Sequence, residues 1–382
     1  MMVSGGGTGG HLFPGIAVAE AVLQRMPGSE VLFVGTARAT DARVLADRPF
    51  KTTTIHSQGL KGKGLFGSVR SLLQLPFSLF EAAGKIADFK PSVVLGVGGY
   101  VTGPVLLAAR LKGIATCIHE QNSVPGLANR ALGKFVERIF LSIPGSEKYF
   151  SGQKCVMTGN PVREELLQLA KKNTKKIDDK ITLLVLGGSL GARRVNTLVI
   201  EALSVLKDKL PAGFRVIHQT GSVDEQMVAE TYKSEGIRAE VSAFFNNMTD
   251  VYSRADLLVS RAGATSLAEM TVLARPMILI PYPYAADNHQ EKNGEYLVQA
   301  GAARMLIEKE TSAGELADKI FELLTDRDKR EKMGRAAASL ARPEATEMIV
   351  VECLRLAGAR SQKPEVRSQR TEVRGQKSED RT

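Results

Sequence analysis

A glycine-rich stretch near the start of the chain carries the first residues that could do chemistry. It runs from Ser4 to Pro14 as SGGGTGGHLFP, between a short apolar start and an amphipathic run from Ile16 to Leu23. A strand, a glycine loop and a helix in this order bring a ligand close to the backbone and present free N–H groups to an anion. The stretch therefore predicts a loop that holds a phosphorylated ligand, with His11 beside it as a titratable side chain.

Three glycines of this stretch also fit the dinucleotide-binding pattern G-x-G-x-x-G. That kind of site needs an acidic residue near the end of the second strand, about 20 residues on. Here the second predicted strand, Val31–Val34, is followed by Gly35-Thr36, and Glu30 lies at its opposite end. Pro14 stands where the helix of that motif begins, which predicts a later first helical turn. An NAD-linked oxidoreductase is therefore a disfavoured alternative, as is a tight turn with an incidental histidine.

The composition is that of an ordinary globular protein with an anionic partner. The 382 residues are enough for two domains, and 43% of them are hydrophobic. The net charge of +10 favours a nucleic acid, a phosphorylated substrate or an acidic lipid surface, unless it serves only solubility. No apolar run approaches the ~20 residues that cross a bilayer, and no signal peptide is expected. Cys117, Cys155 and Cys353 show no metal-binding spacing and are predicted to be buried thiols of a reducing compartment.

Alternating strand and helix patterns predict an α/β fold with two doubly wound parallel sheets. In the first half the predicted strands are Val31–Val34, Thr53–His56, Val93–Val97, Thr116–His119, Ile139–Leu141 and Val156–Thr158. In the second half they are Thr182–Leu186, Arg215–His218, Glu240–Ala243, Leu257–Val259, Met277–Ile280 and Arg304–Ile307. Ligands collect at the carboxyl ends of such strands, here in a cleft between two facing Rossmann-like domains.

A charged segment, Lys171–Lys180, separates the two patterns and predicts a domain boundary, although a long loop inside one domain is an alternative. We predict an N-terminal domain at 1–162, a C-terminal domain at 163–340, and a helix at 341–359 that packs back on the N-terminal domain. Residues 360–382 are polar and nearly repetitive, and we predict that they are disordered.

Polar and glycine-rich segments follow several of the predicted strands. In the first half these segments are Gly98–Pro104, Glu120–Asn122 and Gly159–Arg163. In the second half they are Gly187–Arg193, Ser260–Glu269 and Pro281–Gln290. Small residues before a helix start allow a diphosphate to approach the N–H groups of that helix. The three segments of each half form one half-site. Two half-sites that face each other predict one ligand held between the domains.

Two side chains of the second half could bind sugar hydroxyls. Glu269, inside a helix, can accept from the two vicinal hydroxyls of a ribose, or it is a surface acid near the positive end of the helix. Gln290 lies near a helix start, where it can bind a sugar hydroxyl or cap the helix locally. For both residues we favour the ligand role, and the alternatives stay open.

A metal ion is not expected. The only Asp-x-Asp sequence, Asp326 to Asp328, lies between two predicted helices and away from the strand ends, so we interpret it as a helix cap. The five histidines are scattered and form no ligand set. We therefore predict no cofactor, and helix ends, backbone N–H groups and arginine would stabilise a leaving diphosphate.

Six of these segments, in order, resemble the MurG family of glycosyltransferases, within glycosyltransferase family 28. They are GGTGGHxxP at 6–14, GGYVxGP at 98–104, HEQN at 119–122, GNPVR at 159–163, GGSxGA at 187–192 and the segment Ser260–Glu269. The resemblance spans Ser4 to about Gly358 and implies a GT-B fold, with the donor UDP-N-acetylglucosamine held mainly by the C-terminal domain. It also implies an inverting transfer to the C4 hydroxyl of the muramyl sugar of lipid I, which gives lipid II in peptidoglycan synthesis.

The resemblance also assigns site residues by position. Those of the donor are Thr8, Gly9, Gly10, Asn122, Arg163, Ser189, Phe245, Ala264, Thr265, Ser266, Leu267, Ala268, Glu269 and Gln290. Phe245 is included as a backbone contact to uracil. Those of the acceptor are Gly98, Gly99, Tyr100 and Glu120, in or beside the loops that would hold its diphosphate. His11 is the candidate base for the acceptor hydroxyl, since an imidazole with a pKa near 6.5 accepts a proton at neutral pH.

One further segment, from Leu65 to Phe80, has more apolar residues than a one-faced helix needs, with Lys61, Lys63 and Arg70 in or beside it. That combination is typical of a surface that rests on anionic lipid, although an internal helix packed on the sheet is an alternative. Together with a polyprenyl-linked acceptor, it predicts a peripheral protein on the cytoplasmic face of the bacterial cell membrane, with no nucleic acid partner.

Two more alternatives stay open. A related GT-B transferase would use another lipid acceptor, such as diacylglycerol, but it would not share Gly98–Pro104 together with His119–Asn122. A non-catalytic nucleotide-binding module would not need His11 and two complete half-sites.

Overall fold

Two parallel β-sheets form the framework of the chain, in a computed structural model that describes residues 1–57, 64–172, 180–188 and 191–361. For residues 40, 64–74, 360 and 361 only the backbone is described. The first sheet has the strands β1 (Met2–Gly5), β2 (Leu32–Gly35), β3 (Lys51–Thr54), β4 (Val93–Gly98), β5 (Ala115–Glu120), β6 (Arg138–Leu141) and β7 (Cys155–Met157). The second has β8 (Thr182–Leu186), β9 (Arg215–Gln219), β10 (Ala239–Ser242), β11 (Leu257–Ser260), β12 (Met277–Leu279) and β13 (Ala303–Met305).

Helices connect these strands. In the first half they are α1 (Gly9–Arg25), α2 (Ala39–Leu45), α3 (Gly64–Phe89), α4 (Thr102–Leu111), α5 (Leu127–Leu132) and α6 (Glu164–Lys171). In the second half they are α7 (Arg193–Leu206), α8 (Glu225–Ser234), α9 (Met248–Arg254), α10 (Ala264–Val272), α11 (His289–Gln299), α12 (Ala313–Thr325), α13 (Arg327–Ser339) and α14 (Ala345–Ser361). Within the described residues, none of the helices combines the length and the apolar content that a bilayer crossing requires.

The paired strands all run parallel, in the orders β3-β2-β1-β4-β5-β6-β7 and β10-β9-β8-β11-β12-β13. Every residue of β4 and of β8 is buried, and both strands are continuous apolar runs apart from a few glycines and one threonine. Such runs belong to parallel strands that are covered on both faces. The predicted class of two doubly wound parallel sheets is therefore confirmed.

Chain order reverses between β1 and β4 in the first sheet and between β8 and β11 in the second. An open parallel sheet binds ligands in the crevice at that point, beyond the carboxyl ends of its strands. The loops after these four strands contain Gly6–Thr8, Gly99–Val101, Gly187–Gly188 and Arg261–Gly263. Each sheet thus places two of the loops singled out from the sequence at its own switch point.

The helix α14 lies against the first sheet. Ile349 and Val350 belong to the same buried apolar cluster as Val3 in β1. The Sγ of Cys353 lies 3.5 Å from the Sγ of Cys117 in β5, and both residues are fully buried. The chain thus returns to the first sheet after it has formed the second.

Three expectations from the sequence were wrong. The helix α1 begins at Gly9, so that Pro14 lies inside it instead of before its first turn. The strand β3 spans Lys51–Thr54 instead of Thr53–His56, because an edge strand with mostly exposed polar residues has no burial pattern to fix its position. Cys155 is only partly buried, since it lies in the other edge strand, β7.

Candidate active site

The two glycine loops of the first sheet pack backbone against backbone. The N–H of Gly6 donates to the carbonyl of Gly98 at 3.3 Å. A Cβ at Gly99, where φ is +87°, would lie 2.3 Å from the carbonyl oxygen of Gly6. A Cβ at Gly98, where φ is +105°, would lie 2.4 Å from Nδ1 of His11. Glycine at these two positions therefore lets the imidazole of His11 lie directly on the second loop.

Side chains that follow β2 close the first glycine loop. Asp41 is fully buried, and its Oδ2 accepts from the N–H of Gly7 at 2.9 Å and from the hydroxyl of Thr36 at 2.5 Å. Arg38 donates to the carbonyl of Gly7 at 3.0 Å. One N–H of the loop therefore already has a carboxylate acceptor. At the start of α1 the N–H groups of His11 and Leu12 donate to the carbonyl of Thr8, at 3.1 and 3.2 Å. The N–H groups of Gly9 and Gly10, at the first two positions of the helix, are the ones that an anion would meet.

Burial lowers the pKa of His11 below its ordinary value of 6.5, which keeps the imidazole neutral at pH 7. The charge of Glu120 and hydrogen bonding with Gln121 and with the carbonyl of Val97 act in the opposite direction. His289, from the second half of the chain, lowers the pKa further. Because a neutral imidazole can accept a proton, the surroundings of His11 suit a base.

Glu120 organises the loop that follows β5. Its Oε1 accepts from the N–H and the side-chain amide of Asn122, at 3.0 and 3.2 Å. Its Oε2 accepts from the N–H of Gly126 at 3.3 Å and from the side chain of Asn129 at 2.8 Å. The residue is only 2% exposed. The carboxylate is thus committed to the chain itself, and the acceptor contact assigned to Glu120 stays a prediction.

The helix α10 begins against the start of α1. Gly263 precedes α10 in an extended conformation, and Ala264 is its first residue. The hydroxyl of Thr265 donates to the carbonyl of Gly10 at 2.9 Å and accepts from the side-chain amide of Asn160 at 3.3 Å. The loop after β11 and the loop after β1 therefore meet across the cleft between the sheets.

A buried ion pair lies one helical turn further along α10. Arg163 donates through two nitrogens to Oε1 of Glu269, at 2.7 and 3.1 Å, and the hydroxyl of Tyr252 donates to Oε2 at 3.0 Å. The guanidinium of Arg163 lies 4.9 Å above the ring of Phe13, so the pair also touches α1. Glu269 is 5% exposed, which rules out its alternative interpretation as a surface acid.

Asn293 is a bridging residue that the sequence analysis missed. It is fully buried in α11, and its Nδ2 donates to Oδ1 of Asn122 at 3.1 Å and to the carbonyl of Ala262 at 3.3 Å. Its Oδ1 accepts from the N–H and the hydroxyl of Ser123, at 2.9 and 3.0 Å. The residue thus ties the loop after β5 to the loop after β11. Its position one helical turn after Gln290 is the signal that could have found it.

Gln219 connects two loops that the resemblance assigns to the nucleotide. Its Nε2 donates to the carbonyl of Gly188 at 3.2 Å, and its Oε1 accepts from the N–H of Phe245, also at 3.2 Å. The backbone of Phe245 therefore lies beside the loop that follows β8. Ser189, which was assigned to the donor, lies outside the described residues.

The other assigned residues lie on the same loops and helix starts. Ala264 and Leu267 are buried, whereas Ser266 and Ala268 are partly exposed. Gln290 lies in the first turn of α11, and its Oε1 accepts from the N–H of Tyr282 at 3.0 Å, so that it tethers the preceding loop. Thr8 precedes α1 in an extended conformation, and Tyr100 is 46% exposed next to the second glycine loop.

The Asp-x-Asp sequence caps a helix. Oδ1 of Asp326 accepts from the N–H of Lys329 at 2.9 Å, which confirms the predicted cap at the start of α13. Over the ranges that the structure describes, no three His, Cys, Asp or Glu side chains are grouped so that they could hold a metal ion.

Apolar side chains are exposed near the second glycine loop. Phe77 and Phe80, in α3, are 58% and 78% exposed. The ring of Phe77 lies 6.3 Å from that of His56, and the hydroxyl of the next residue, Ser57, donates to the carbonyl of Tyr100 at 2.9 Å. The end of the segment predicted to contact lipid is thus close to this loop. The side chains of residues 65–74, with Lys61 and Lys63, lie outside what the structure describes.

Comparisons with known proteins identify the family of the chain. Models of the glycosyltransferase family 28 N-terminal and C-terminal domains match residues 1–141 and 182–349. The UDP-N-acetylglucosamine–N-acetylmuramyl-(pentapeptide) pyrophosphoryl-undecaprenol N-acetylglucosamine transferase of Desulfotalea psychrophila is 50% identical over 356 residues, which cover 93% of this chain and 96% of that protein. The protein of the same name from Geotalea uraniireducens is 45% identical over 93% of this chain and 98% of its own length.

A solved structure shares the architecture. The crystal structure of Acinetobacter baumannii MurG superposes with a TM-score of 0.73 at 28% identity, over 93% of this chain and 99% of that one. The fold of the chain is therefore GT-B, as in this glycosyltransferase. Because both domains of the family match and the relatives cover nearly all of the sequence, the chain belongs to glycosyltransferase family 28.

Proposed function

We propose that the chain transfers N-acetylglucosamine from UDP-N-acetylglucosamine to the C4 hydroxyl of the muramyl sugar of lipid I, with inversion at the anomeric carbon, and so forms lipid II in peptidoglycan synthesis. The names of the relatives state this sugar and this lipid-linked acceptor. The structural observation that supports the proposal best is the placement of His11, a neutral imidazole held on Gly98 at the switch point of the first sheet. The start of α10 lies across the cleft from it.

His11 acts as the base of the transfer. An alcohol becomes a good nucleophile when a base takes its proton as the new bond forms. The acceptor oxygen attacks the anomeric carbon from the face opposite the diphosphate, so the bond to the diphosphate breaks as the new bond forms. The proton passes to Nε2 of His11, and the electron pair of the broken bond goes to the diphosphate oxygen.

Helix starts and an arginine stabilise the departing diphosphate. The first N–H groups of α10 have no intrahelical partner and favour an anion. Preorganised donors of this kind act where charge develops in the transition state. Glu269 binds the ribose hydroxyls by exchanging its present partners, Arg163 and Tyr252, and the guanidinium of Arg163 then turns toward the phosphates.

The acceptor remains anchored in the bilayer while its sugar enters the cleft. Phe77 and Phe80 are exposed near the second glycine loop, which is assigned to the acceptor. Together with the net charge of +10, they support a peripheral position on the anionic cytoplasmic face of the cell membrane. Co-sedimentation should be stronger with phosphatidylglycerol vesicles than with phosphatidylcholine vesicles. The double variant Phe77→Ser, Phe80→Ser should sediment less. Equal binding of both proteins to both vesicles would contradict the membrane role.

A transfer assay with labelled UDP-N-acetylglucosamine and a lipid I analogue tests the reaction. We expect labelled product from the wild type, and from His11→Ala we expect retained UDP binding with turnover reduced roughly 100-fold or more. Parallel reactions contain diacylglycerol as the acceptor, and calorimetry compares the donor with NAD. Transfer to diacylglycerol but not to the lipid I analogue would overturn the assigned acceptor. Unchanged turnover in His11→Ala would remove His11 from the mechanism.

A further inference from the structure

At the candidate base, two buried polar atoms have no hydrogen-bond partner among the residues that the structure describes. They are Nδ1 of His11 and Oε1 of Gln121. Buried polar atoms in folded proteins are nearly always paired. Gln121 is 2% exposed, and hydrogen bonding with its side chain is among the influences that raise the pKa of His11. The geometry agrees: Nδ1 of His11 lies against Gly98, and the carbonyl of the preceding residue, Val97, accepts from the amide of Gln121. The two side chains therefore meet at this loop.

The other contacts of Gln121 fix the orientation of its amide group. Its Nε2 lies 2.8 Å from the carbonyl oxygen of Val97, which can only accept. This contact assigns the nitrogen to that side of the amide. The oxygen, which can only accept, is then left for His11. A nitrogen of His11 that faces this oxygen must carry a proton.

His119 leads to the same assignment. Nε2 of Gln121 lies 3.1 Å from Nδ1 of His119, which therefore accepts. Burial lowers the pKa of His119 to about 4, so the ring is neutral at pH 7 and its proton is on Nε2. That nitrogen lies 3.2 Å from the carbonyl of Gly159 and 2.9 Å from the hydroxyl of Ser142. The hydrogen bonds thus form a row that runs from Gly159 and Ser142 through His119 to Gln121. Each group in this row has one consistent role as donor or acceptor.

We propose that Gln121 is a positioning residue, which accepts a hydrogen bond from Nδ1 of His11 and thereby holds the imidazole in the tautomer whose Nε2 is free. The inference rests on the proposed function, because it gives the base its working form. A base must present an unprotonated nitrogen to the acceptor hydroxyl. Nδ1 is enclosed, so Nε2 is the nitrogen that can reach a substrate. Gln121 thus acts on the transfer through His11 without touching the sugars.

Nuclear magnetic resonance of the full chain with ¹⁵N-labelled histidine tests this directly. Protonated and unprotonated ring nitrogens resonate at well-separated frequencies, and the His11→Asn variant identifies the signals of His11. We expect the wild type to carry its proton on Nδ1. Gln121→Met keeps the side-chain length but has no acceptor oxygen, and it leaves the carbonyl of Val97 as the other group that hydrogen-bonds with His11. In this variant we expect the Nε2-protonated form to appear beside the Nδ1-protonated one and the pKa of His11 to fall. The other ionisable groups that face His11, namely Glu120, His119 and His289, are unchanged in this variant.

Kinetics give the second readout. We expect Gln121→Met to lower kcat roughly tenfold or more while the KM for the donor stays near the wild-type value. Ser142→Ala is the matched control: it removes the 2.9 Å contact at the far end of the row, where the carbonyl of Gly159 still holds His119. His11 and kcat should not change in this control.

A wild-type His11 protonated on Nε2 would overturn the inference, as would a Gln121→Met variant with unchanged tautomer, pKa and kcat. The tautomer is read without substrate and does not depend on Gln121→Met folding, since the wild type alone can contradict the assignment. The role of Gln121 can therefore be refuted even if the protein is shown to be an active transferase. Conversely, a failed transfer assay with the expected tautomer would reject the reaction and leave the hydrogen bond in place.

Discussion

The hydroxyl of Thr265 donates a 2.9 Å hydrogen bond to the carbonyl of Gly10, and so joins the start of α10 to the start of α1. Pro14 leaves this carbonyl without its usual intrahelical donor. In a regular helix the N–H of residue 14 would bind the carbonyl of residue 10, but proline has no N–H to donate. The proline inside α1 thus leaves an acceptor free for the helix of the other sheet.

Replacing Thr265 by valine removes the hydroxyl at nearly constant volume. We expect the KM for UDP-N-acetylglucosamine to rise roughly fivefold, because a hydrogen bond contributes about 1 kcal/mol net and this one holds the two helix starts together. Steady-state kinetics measure the change, and Thr265→Ser, which keeps the hydroxyl, should resemble the wild type.

A second variant separates this contact from any direct contact of Thr265 with the donor. Pro14→Ala restores an N–H that competes for the carbonyl of Gly10, so its KM should rise in the same direction. A wild-type KM in both Thr265→Val and Pro14→Ala would show that the contact does not affect the donor.

Gly98→Ala should displace the candidate base. The new Cβ would lie 2.4 Å from Nδ1 of His11, and the residue would keep a φ of +105° that alanine rarely adopts. We expect kcat to fall roughly 100-fold, close to the effect of removing the base, with UDP binding largely retained. Gly84→Ala is the control and should keep wild-type kcat, because the position is exposed in α3 and no atom of the described residues lies within 4 Å of the new Cβ. A wild-type kcat in Gly98→Ala as well as in Gly84→Ala would mean that catalysis does not require His11 to lie against this loop.

The loops of the site could be predicted from the sequence because their signals are local. A glycine run after an apolar strand marks a strand end and a helix start within a few residues, and two repeats of the α/β pattern place these loops at the two switch points. The segments Gly98–Pro104 and Ser260–Glu269 were found in this way. The helix cap at Asp326 was found from similar local reasoning.

The partners of the site residues could not be predicted, because they depend on distant contacts. Nothing near Asn293 in the sequence shows that it meets Asn122 and Ser123, which are about 170 positions away. Tyr252 looks like an ordinary core residue until its hydroxyl is seen on Glu269. The start of α1 was misjudged as well: Pro14 deprives the carbonyl of Gly10 of its intrahelical donor, and the donor that the carbonyl has instead lies in α10.

Glu269→Ala should weaken donor binding and also lower the stability of the fold. The variant removes the acceptor of the buried Tyr252 hydroxyl and leaves Arg163, whose side chain is 21% exposed, without its counter-ion. We expect the Kd for UDP to rise roughly tenfold and the free energy of unfolding to fall by about 2 kcal/mol. Calorimetric titration and urea unfolding measure the two effects.

Tyr252→Phe is the companion variant for Glu269. It removes only the 3.0 Å hydrogen bond to Oε2, which Glu269 gives up when it binds the ribose, and so should leave the Kd for UDP at or below the wild-type value. If neither variant changed the Kd for UDP, Glu269 would be a structural residue that does not contact the ribose.

The stability of the fold should fall in mild acid, in part because of His218. This residue is buried in β9, where its ring nitrogens contact the hydroxyl of Tyr232 at 2.9 Å and the side chain of Asn196 at 3.1 Å. Burial lowers its pKa from 6.5 to about 3, so between these pH values the unfolded chain binds a proton that the folded chain does not. The free energy of unfolding then falls with pH, by up to about 1.4 kcal/mol per pH unit from this group. Urea unfolding of the wild type and of His218→Gln at pH 7.5, 6.0 and 5.0 measures this effect. Between pH 7.5 and pH 5.0 the free energy of unfolding should fall less in the variant than in the wild type. Identical slopes in the two proteins would mean that His218 takes up its proton in the folded state.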